Sequence, residues 1–134
     1  MIFIPVRRAT LLVPSGPDHN PDQKHLFVLL TDPIGEKQEA LLTGLASVRA
    51  GSYHDPTCIL YPGDHDFIQR ESYVNYQRAR IEPIEALSRG VSDGLFIPKG
   101  TIDSGIFMRI CQGLLDSRHA AEKMKRFYLG TTDA

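Results

Sequence analysis

His25-Leu26-Phe27-Val28-Leu29-Leu30-Thr31 is the strongest strand signal in the chain, and Asp32-Pro33-Ile34-Gly35 follows it directly. The run is almost continuously apolar, the pattern of a central strand covered on both faces. Asp, Pro and Gly end it with turn chemistry. The next apolar segment, residues 39–48, reads Glu-Ala-Leu-Leu-Thr-Gly-Leu-Ala-Ser-Val. Propensity alone would allow a helix there. The turn before it points to a hairpin and Gly44 interrupts a helix, so a strand is expected.

Working outward toward the N-terminus, residues 2–14 read as one strand, or as two short strands bent at Arg7-Arg8. Ile2, Ile4 and Val6 share a face, and Leu11, Leu12 and Val13 form a short buried run. Pro5 and Pro14 cannot donate to a ladder and favour an edge or a strand end. Residues 15–24 form a polar loop stiffened by Pro17 and Pro21. It is long for a small domain, and such loops often carry function.

Toward the C-terminus, residues 49–56 form a second loop, and 57–60 a short strand entering the turn Pro62-Gly63-Asp64-His65. Residues 72–81 form another strand, with Ser72, Val74 and Tyr76 on one face and Tyr73 and Asn75 on the other. Pro83 ends it. Residues 84–89 suit one or two helical turns closed by Gly90, and 95–98 a last small strand. The period then changes. Ile102, Ile106, Phe107, Ile110, Cys111, Leu114 and Leu115 make one wide apolar stripe of a helix. Thr101 is the expected N-cap, with Asp103 in the first turn. Asp116 or Ser117 is expected to cap a second helix with Ala120, Ala121, Met124, Phe127 and Tyr128 on its apolar side. The expected fold is α+β: a small β-barrel made of a strongly bent antiparallel sheet, with C-terminal helices. All 134 residues are expected to form one domain, barrel about 1–98 and helical part about 101–129.

Composition sets limits. The chain is 42% hydrophobic and 23% charged, ordinary for a globular protein, with a formal net charge of −1. No global field would draw it onto nucleic acid or an anionic membrane, so any such contact needs a local basic patch. Cys58 and Cys111 sit in apolar surroundings without a Cys-x-x-Cys spacing, which reads as buried reduced thiols. No secretory leader and no apolar run of membrane-spanning length is present, so a cytoplasmic location without membrane contact is expected.

The densest cluster of titratable groups is Asp64-His65-Asp66, within residues 57–76. A histidine in a turn can titrate near neutrality, and a flanking carboxylate can orient it. The plainer alternative is that Asp64 bonds nearby backbone N–H groups while His65 packs against Phe67 or Tyr61. His25, at the entrance of the strongest strand and beside the 15–24 loop, is the second candidate acid or base. Its alternative is a ring covering the core edge. His19, His25, His54, His65 and His119 lack metal-ligand spacing, so no metal and no other cofactor is expected. Ser72-Tyr73-Val74-Asn75-Tyr76 offers hydroxyls and rings that could stack bases, or pack across strands. Arg118, Lys123, Lys125 and Arg126 form a basic helix face, to which Arg7-Arg8 and Arg78 with Arg80 add charge. No phosphate-binding glycine loop or nucleophile elbow occurs.

The order of parts resembles the MazF/PemK-type toxin family: the strand 25–31, the strand ending Leu41-Leu42-Thr43, the Ser72-led strand, then the helix 101–115. Within it the chain looks like a bacterial branch marked by Gly-Asp-His-x-Phe-Ile and Ser-Tyr-Val-x-Tyr, here between Gly63 and Tyr76. That signature carries no activity of its own. The family resemblance implies an SH3-like barrel, a homodimer, a protein antitoxin as partner, and metal-independent cleavage of single-stranded RNA. The family's Arg-Pro place holds Lys24-His25, its Thr-Ser place holds Thr43-Gly44, and its Gly-Asp-Ile start is absent. On the residues present, His25 and His65 are the expected acid–base pair, oriented by Asp64, with Thr43 or Ser72 as positioning hydroxyl. Lys24, Arg49, Tyr73, Tyr76 and Arg78 are the expected RNA contacts. The alternative is a non-catalytic barrel that binds RNA or a protein partner.

Overall fold

The computed structural model describes residues 3–132. Among them run β1 (Ala9–Pro14), β2 (Lys24–Leu29), β3 (Glu39–Ser47), β4 (Ile59–Leu60), β5 (Ser72–Pro83), α1 (Ile84–Ser92), β6 (Ile97–Thr101), α2 (Ser104–Asp116) and α3 (Glu122–Thr132). The strands form one six-stranded sheet in the order β4-β5-β3-β2-β1-β6. Every pairing is antiparallel. The fold is α+β, and the sheet is curled into a half-barrel.

The expected central hairpin is there. Ile34 and Glu39 exchange backbone hydrogen bonds of 2.9 Å, and the turn closes through Gly35 and Gln38, with φ of 79° and 49°. Leu41 N–H donates to Thr31 Oγ1 at 3.0 Å, fixing the entry to β3. Gly44 lies opposite Phe27, and a Cβ there would come within 2.8 Å of the Phe27 ring. The glycine that argued against a helix is thus the floor under an aromatic ring. Between Leu42 and Gly44 the register against β5 slips, Leu42 facing Arg80 and Gly44 facing Asn75. Such a bulge raises local twist and helps the sheet curl.

Each face of the sheet has its own core. On one, Val28, Leu41, Leu45, Val74 and Tyr76 pack with Ile110, Cys111 and Leu114 of α2, against which Met124, Phe127 and Tyr128 of α3 lie. On the other, Leu11, Val13, Phe27, Leu29, Ala40 and Leu42 pack with Leu87 of α1. Burial of each large apolar side chain contributes about 1.5–3 kcal/mol, so the central β2 and β3 draw stabilisation from both sides. Tyr76 is buried to 1% exposure, and its hydroxyl donates to the Ile110 carbonyl at 2.7 Å.

Four boundaries differ from expectation. The first strand begins at Ala9, because Arg8 takes φ 77° and donates its Nε–H to the Ile102 carbonyl. Ile2 lies outside the described residues. Gly90 sits inside α1 and is buried; a Cβ there would run into the Phe96 ring, so packing explains it. Thr101 belongs to β6, and the N-cap of α2 is Asp103, whose Oδ2 accepts from Gly105 and Ile106 N–H at 2.9 and 3.1 Å. Ser117 ends α2, and α3 starts only at Glu122.

Candidate functional site

Paired residues of an antiparallel ladder share a face, and residues three apart on one strand do not. Val13 pairs with His25, which puts His25 on the face of Phe27 and α1. Thr10, on the opposite face with Val28, contacts His65 through Oγ1 at 3.3 Å. The two imidazoles therefore lie on opposite sides of the sheet, and the expected acid–base pair of His25 with His65 does not form.

His65 is a staple. Phe67 N–H donates to its Nδ1 at 3.0 Å, so the ring proton of the neutral form is on Nε2. Nε2–H then donates to the Lys99 carbonyl at 3.0 Å. Thr10 gives its own hydroxyl proton to the Gly100 carbonyl. Nδ1 braces the 61–68 turn from within, and Nε2 ties it to β1 and β6. Asp64 does not reach His65; its Oδ2 accepts from Tyr61 N–H at 2.8 Å. Asp64 takes the backbone role of the plainer alternative, while His65 is held by hydrogen bonds.

Thr43 is fully buried on the α2 side and donates to the Asn75 carbonyl at 3.1 Å, where it fills the bulge rather than facing a substrate. Tyr76 is in the core and has no free ring face for a base. Burial pushes its hydroxyl far above the ordinary phenol value. Both expected roles fall to packing. Ser72 is buried, with its hydroxyl on the Arg70 carbonyl.

The remaining expected residues converge. A cleft of about 640 Å³ is lined by Lys24, His25, Arg49, Ser72 and Tyr73 together with His54, Phe67 and Arg70. A smaller basin of about 220 Å³ is lined by Ser15, His25, Phe27, Tyr73, Asn75 and Arg78. His25, Leu45, Ala46 and Tyr73 belong to both. His25 thus stands at the waist between two concavities.

Several local devices build this rim. The 15–24 loop is closed by Ser15 N–H to the Gln23 carbonyl at 2.8 Å and by Asn20 N–H to the Pro17 carbonyl at 2.8 Å. That brings Ser15 Oγ to 2.7 Å from His25 Nδ1. On the far wall, the His54 and Tyr73 rings meet with centroids 5.4 Å apart. The adjoining Asp55 anchors that wall. It accepts from Thr57 and from Ser117 Oγ, the latter at 2.6 Å, which joins the loop to the end of α2. Burial pushes the Asp55 carboxyl up, but these hydrogen bonds, with His119 nearby, outweigh it and hold the group below its ordinary value.

The electrostatics of the rim are one-sided. Among the described residues the ion pairs are Arg7 with Asp32 and Arg89 with Glu85. Lys24, Arg49, Arg70 and Arg78 have no carboxylate partner within that set. Burial, then Arg78 and Arg49, hold the His25 imidazole below its ordinary 6.5. His25 is therefore neutral at pH 7 while ringed by cations. The other basic residues do not join them. Arg7 pairs with Asp32, Arg8 is bound to the Ile102 carbonyl, and Arg80 lies over the Phe27 ring at 5.0 Å.

Sequence reading missed Ser15, Arg70 and His54. For Ser15 a signal existed: two strands joined by a closed loop pair antiparallel, so the first loop residue returns beside the start of the second strand. Among the described residues, no group of three His, Cys, Asp or Glu could hold a metal ion, and no helix is long and apolar enough to cross a membrane. No family model, curated protein or solved structure matches this chain.

Proposed function

We propose that the groove around His25 binds single-stranded RNA and cleaves it without a metal. The observation that carries this is a neutral imidazole at the waist of two concavities, ringed by unpaired Lys24, Arg49, Arg70 and Arg78. Cations without carboxylate partners favour a polyanion. The half-buried Tyr73 and the exposed Phe67 line the groove and offer rings on which unpaired bases can stack. A groove continuing on both sides of His25 suits a chain passing through rather than a chain end, which favours internal cleavage.

In the proposed reaction His25 takes the proton of a ribose 2′-OH. The 2′-oxygen bonds to phosphorus, the bond to the 5′-oxygen breaks, and that oxygen takes a proton from water. Arg49, Arg78 and Lys24 offset the charge that builds on the phosphoryl oxygens. The expected catalytic set thereby shrinks from His25, His65, Thr43, Asp64 and Ser72 to His25 alone among the titratable candidates. The setting comes from the resemblance: an SH3-like barrel of MazF/PemK type, acting in the bacterial cytoplasm as a toxin, dimeric, and held by a protein antitoxin.

A second reading is favoured by one observation. His65 and Thr43 are committed to the fold, so neither of these two expected partners can act opposite His25. On that reading the barrel is a binding module for RNA or a protein partner. Incubation with mixed-sequence single-stranded RNA in EDTA separates them. Discrete fragments support cleavage, a mobility shift of intact RNA supports the module, and intact unshifted RNA contradicts both RNA readings.

A further inference from the structure

The hydrogen bonds around His25 fix which of its nitrogens faces the groove. Ser15 has one hydroxyl proton, and Oγ donates it to the Val13 carbonyl at 3.0 Å. The 2.7 Å contact between Ser15 Oγ and His25 Nδ1 must then carry a proton from the imidazole. Neutral His25 is accordingly the Nδ1–H tautomer, and its lone pair is on Nε2. Among the described residues Nε2 has no hydrogen-bond partner, and it is not one of the buried polar atoms without one, His54 Nδ1 and Arg80 Nε. It therefore opens to solvent in the groove. This is the reverse of His65, where the proton is on Nε2 and Nδ1 accepts.

We infer that Ser15 is a positioning residue that presents His25 Nε2 as a hydrogen-bond acceptor for the ribose 2′-hydroxyl of the bound chain, making the groove selective for RNA over DNA. The inference rests on the proposed RNA-binding reading and deepens it. A cationic groove attracts phosphates of either polymer. The neutral acceptor of His25, at its waist, needs a donor between two phosphates, and in a nucleic acid the sugar donor absent from DNA is the 2′-OH. The groups facing His25 are consistent with an unprotonated Nε2. Lys24 precedes it on β2, Arg49 and His54 come from the second loop, Tyr73 and Arg78 from β5, and Asp66 lies across the larger cleft. Among the described residues no carboxylate pairs with the ring to hold a proton on it.

The test is nitrogen-15 NMR of the His25 ring in the 134-residue chain, above the pH at which it titrates. Without nucleic acid, Nδ1 is expected protonated and Nε2 not. Ser15→Ala should move the ring toward the Nε2–H form, and Ser15→Thr should restore the Nδ1–H form. A wild-type ring with the proton on Nε2, or one unmoved by Ser15→Ala, overturns the positioning role whatever the protein binds. A single-stranded RNA of mixed sequence is then added, and in parallel its DNA counterpart. RNA should shift Nε2 and bind about 2- to 10-fold more tightly, the worth of one hydrogen bond; Ser15→Ala should reduce that preference and Ser15→Thr should keep it. Equal binding of RNA and DNA with the expected tautomer overturns the 2′-OH contact alone. Binding of neither overturns the RNA reading while the ligand-free spectrum still decides the role of Ser15.

Discussion

The His65 turn and the His25 rim contain the same side chain in similar sequence company, each beside a loop and near aspartates or basic residues. Their environments differ in one respect that decides their roles. Both ring nitrogens of His65 are bonded to backbone or to Thr10, so the ring has nothing left to offer a ligand. His25 is bonded at one nitrogen and open at the other, among cations that have no carboxylate of their own. A titratable residue is available for chemistry when the fold satisfies only part of it. The residue with more conspicuous neighbours in sequence was the one fully used by the structure.

Substitution of the two histidines breaks the comparison most sharply. His25→Ala should lower RNA cleavage by about 10²–10⁴-fold, the usual worth of a positioned acid–base group, while leaving thermal stability within about 1 kcal/mol. Gel-resolved cleavage rates and a thermal melt measure both. His65→Ala should do the opposite. It leaves the Phe67 N–H and the Lys99 carbonyl without their partner, and should destabilise the protein by about 1–3 kcal/mol in a denaturant melt, with cleavage per folded molecule retained. Equal stability in that variant would contradict the staple.

Neutralising the rim probes the next level. Arg49→Gln and Arg78→Gln should each weaken RNA binding and reduce the slope of log affinity against log salt by about 0.7, the single-strand value for one lost phosphate contact. Arg126→Gln, on α3 and outside both concavities, should change neither, as fluorescence titrations at several salt concentrations would reveal.

The smallest effect is in proton binding. His25 has a depressed pKa in the fold, so between that value and 6.5 the unfolded chain binds more protons than the folded one. Stability therefore rises with pH through that window, is fully present above 6.5, and is lost as pH falls. His25→Ala should flatten this part of the stability–pH curve. Arg78→Gln should raise the His25 titration midpoint toward 6.5 in an NMR titration, and an unchanged midpoint would remove Arg78 from the rim.

How much of this was readable in the sequence follows from range. The strands 24–29, 39–47 and 72–83 were legible because alternation, turn residues and apolar runs are local signals. Ser72, Val74 and Tyr76 do share a face, as the period of two requires. Gly44 and Gly90 were read as breakers because their reasons, the Phe27 and Phe96 rings, lie elsewhere in the chain. The groove was legible in part. Lys24, His25, Arg49, Tyr73 and Arg78 line its two concavities, brought together by the pairing of β1, β2, β3 and β5. Thr43, Tyr76 and His65 failed as site residues because burial and long-range hydrogen bonds claimed them. Residue type cannot reveal a partner such as the Lys99 carbonyl, which reaches His65 only when β6 pairs with β1.

The most direct measurement is a side-by-side RNA cleavage assay in EDTA of the wild-type protein, His25→Ala and His65→Ala, at a temperature where melts show all three folded. Fragments from the wild type and from His65→Ala, with none from His25→Ala, are the predicted result. Cleavage by His25→Ala at the wild-type rate, or a folded but inactive His65→Ala, would contradict the assignment of the site to the groove around His25.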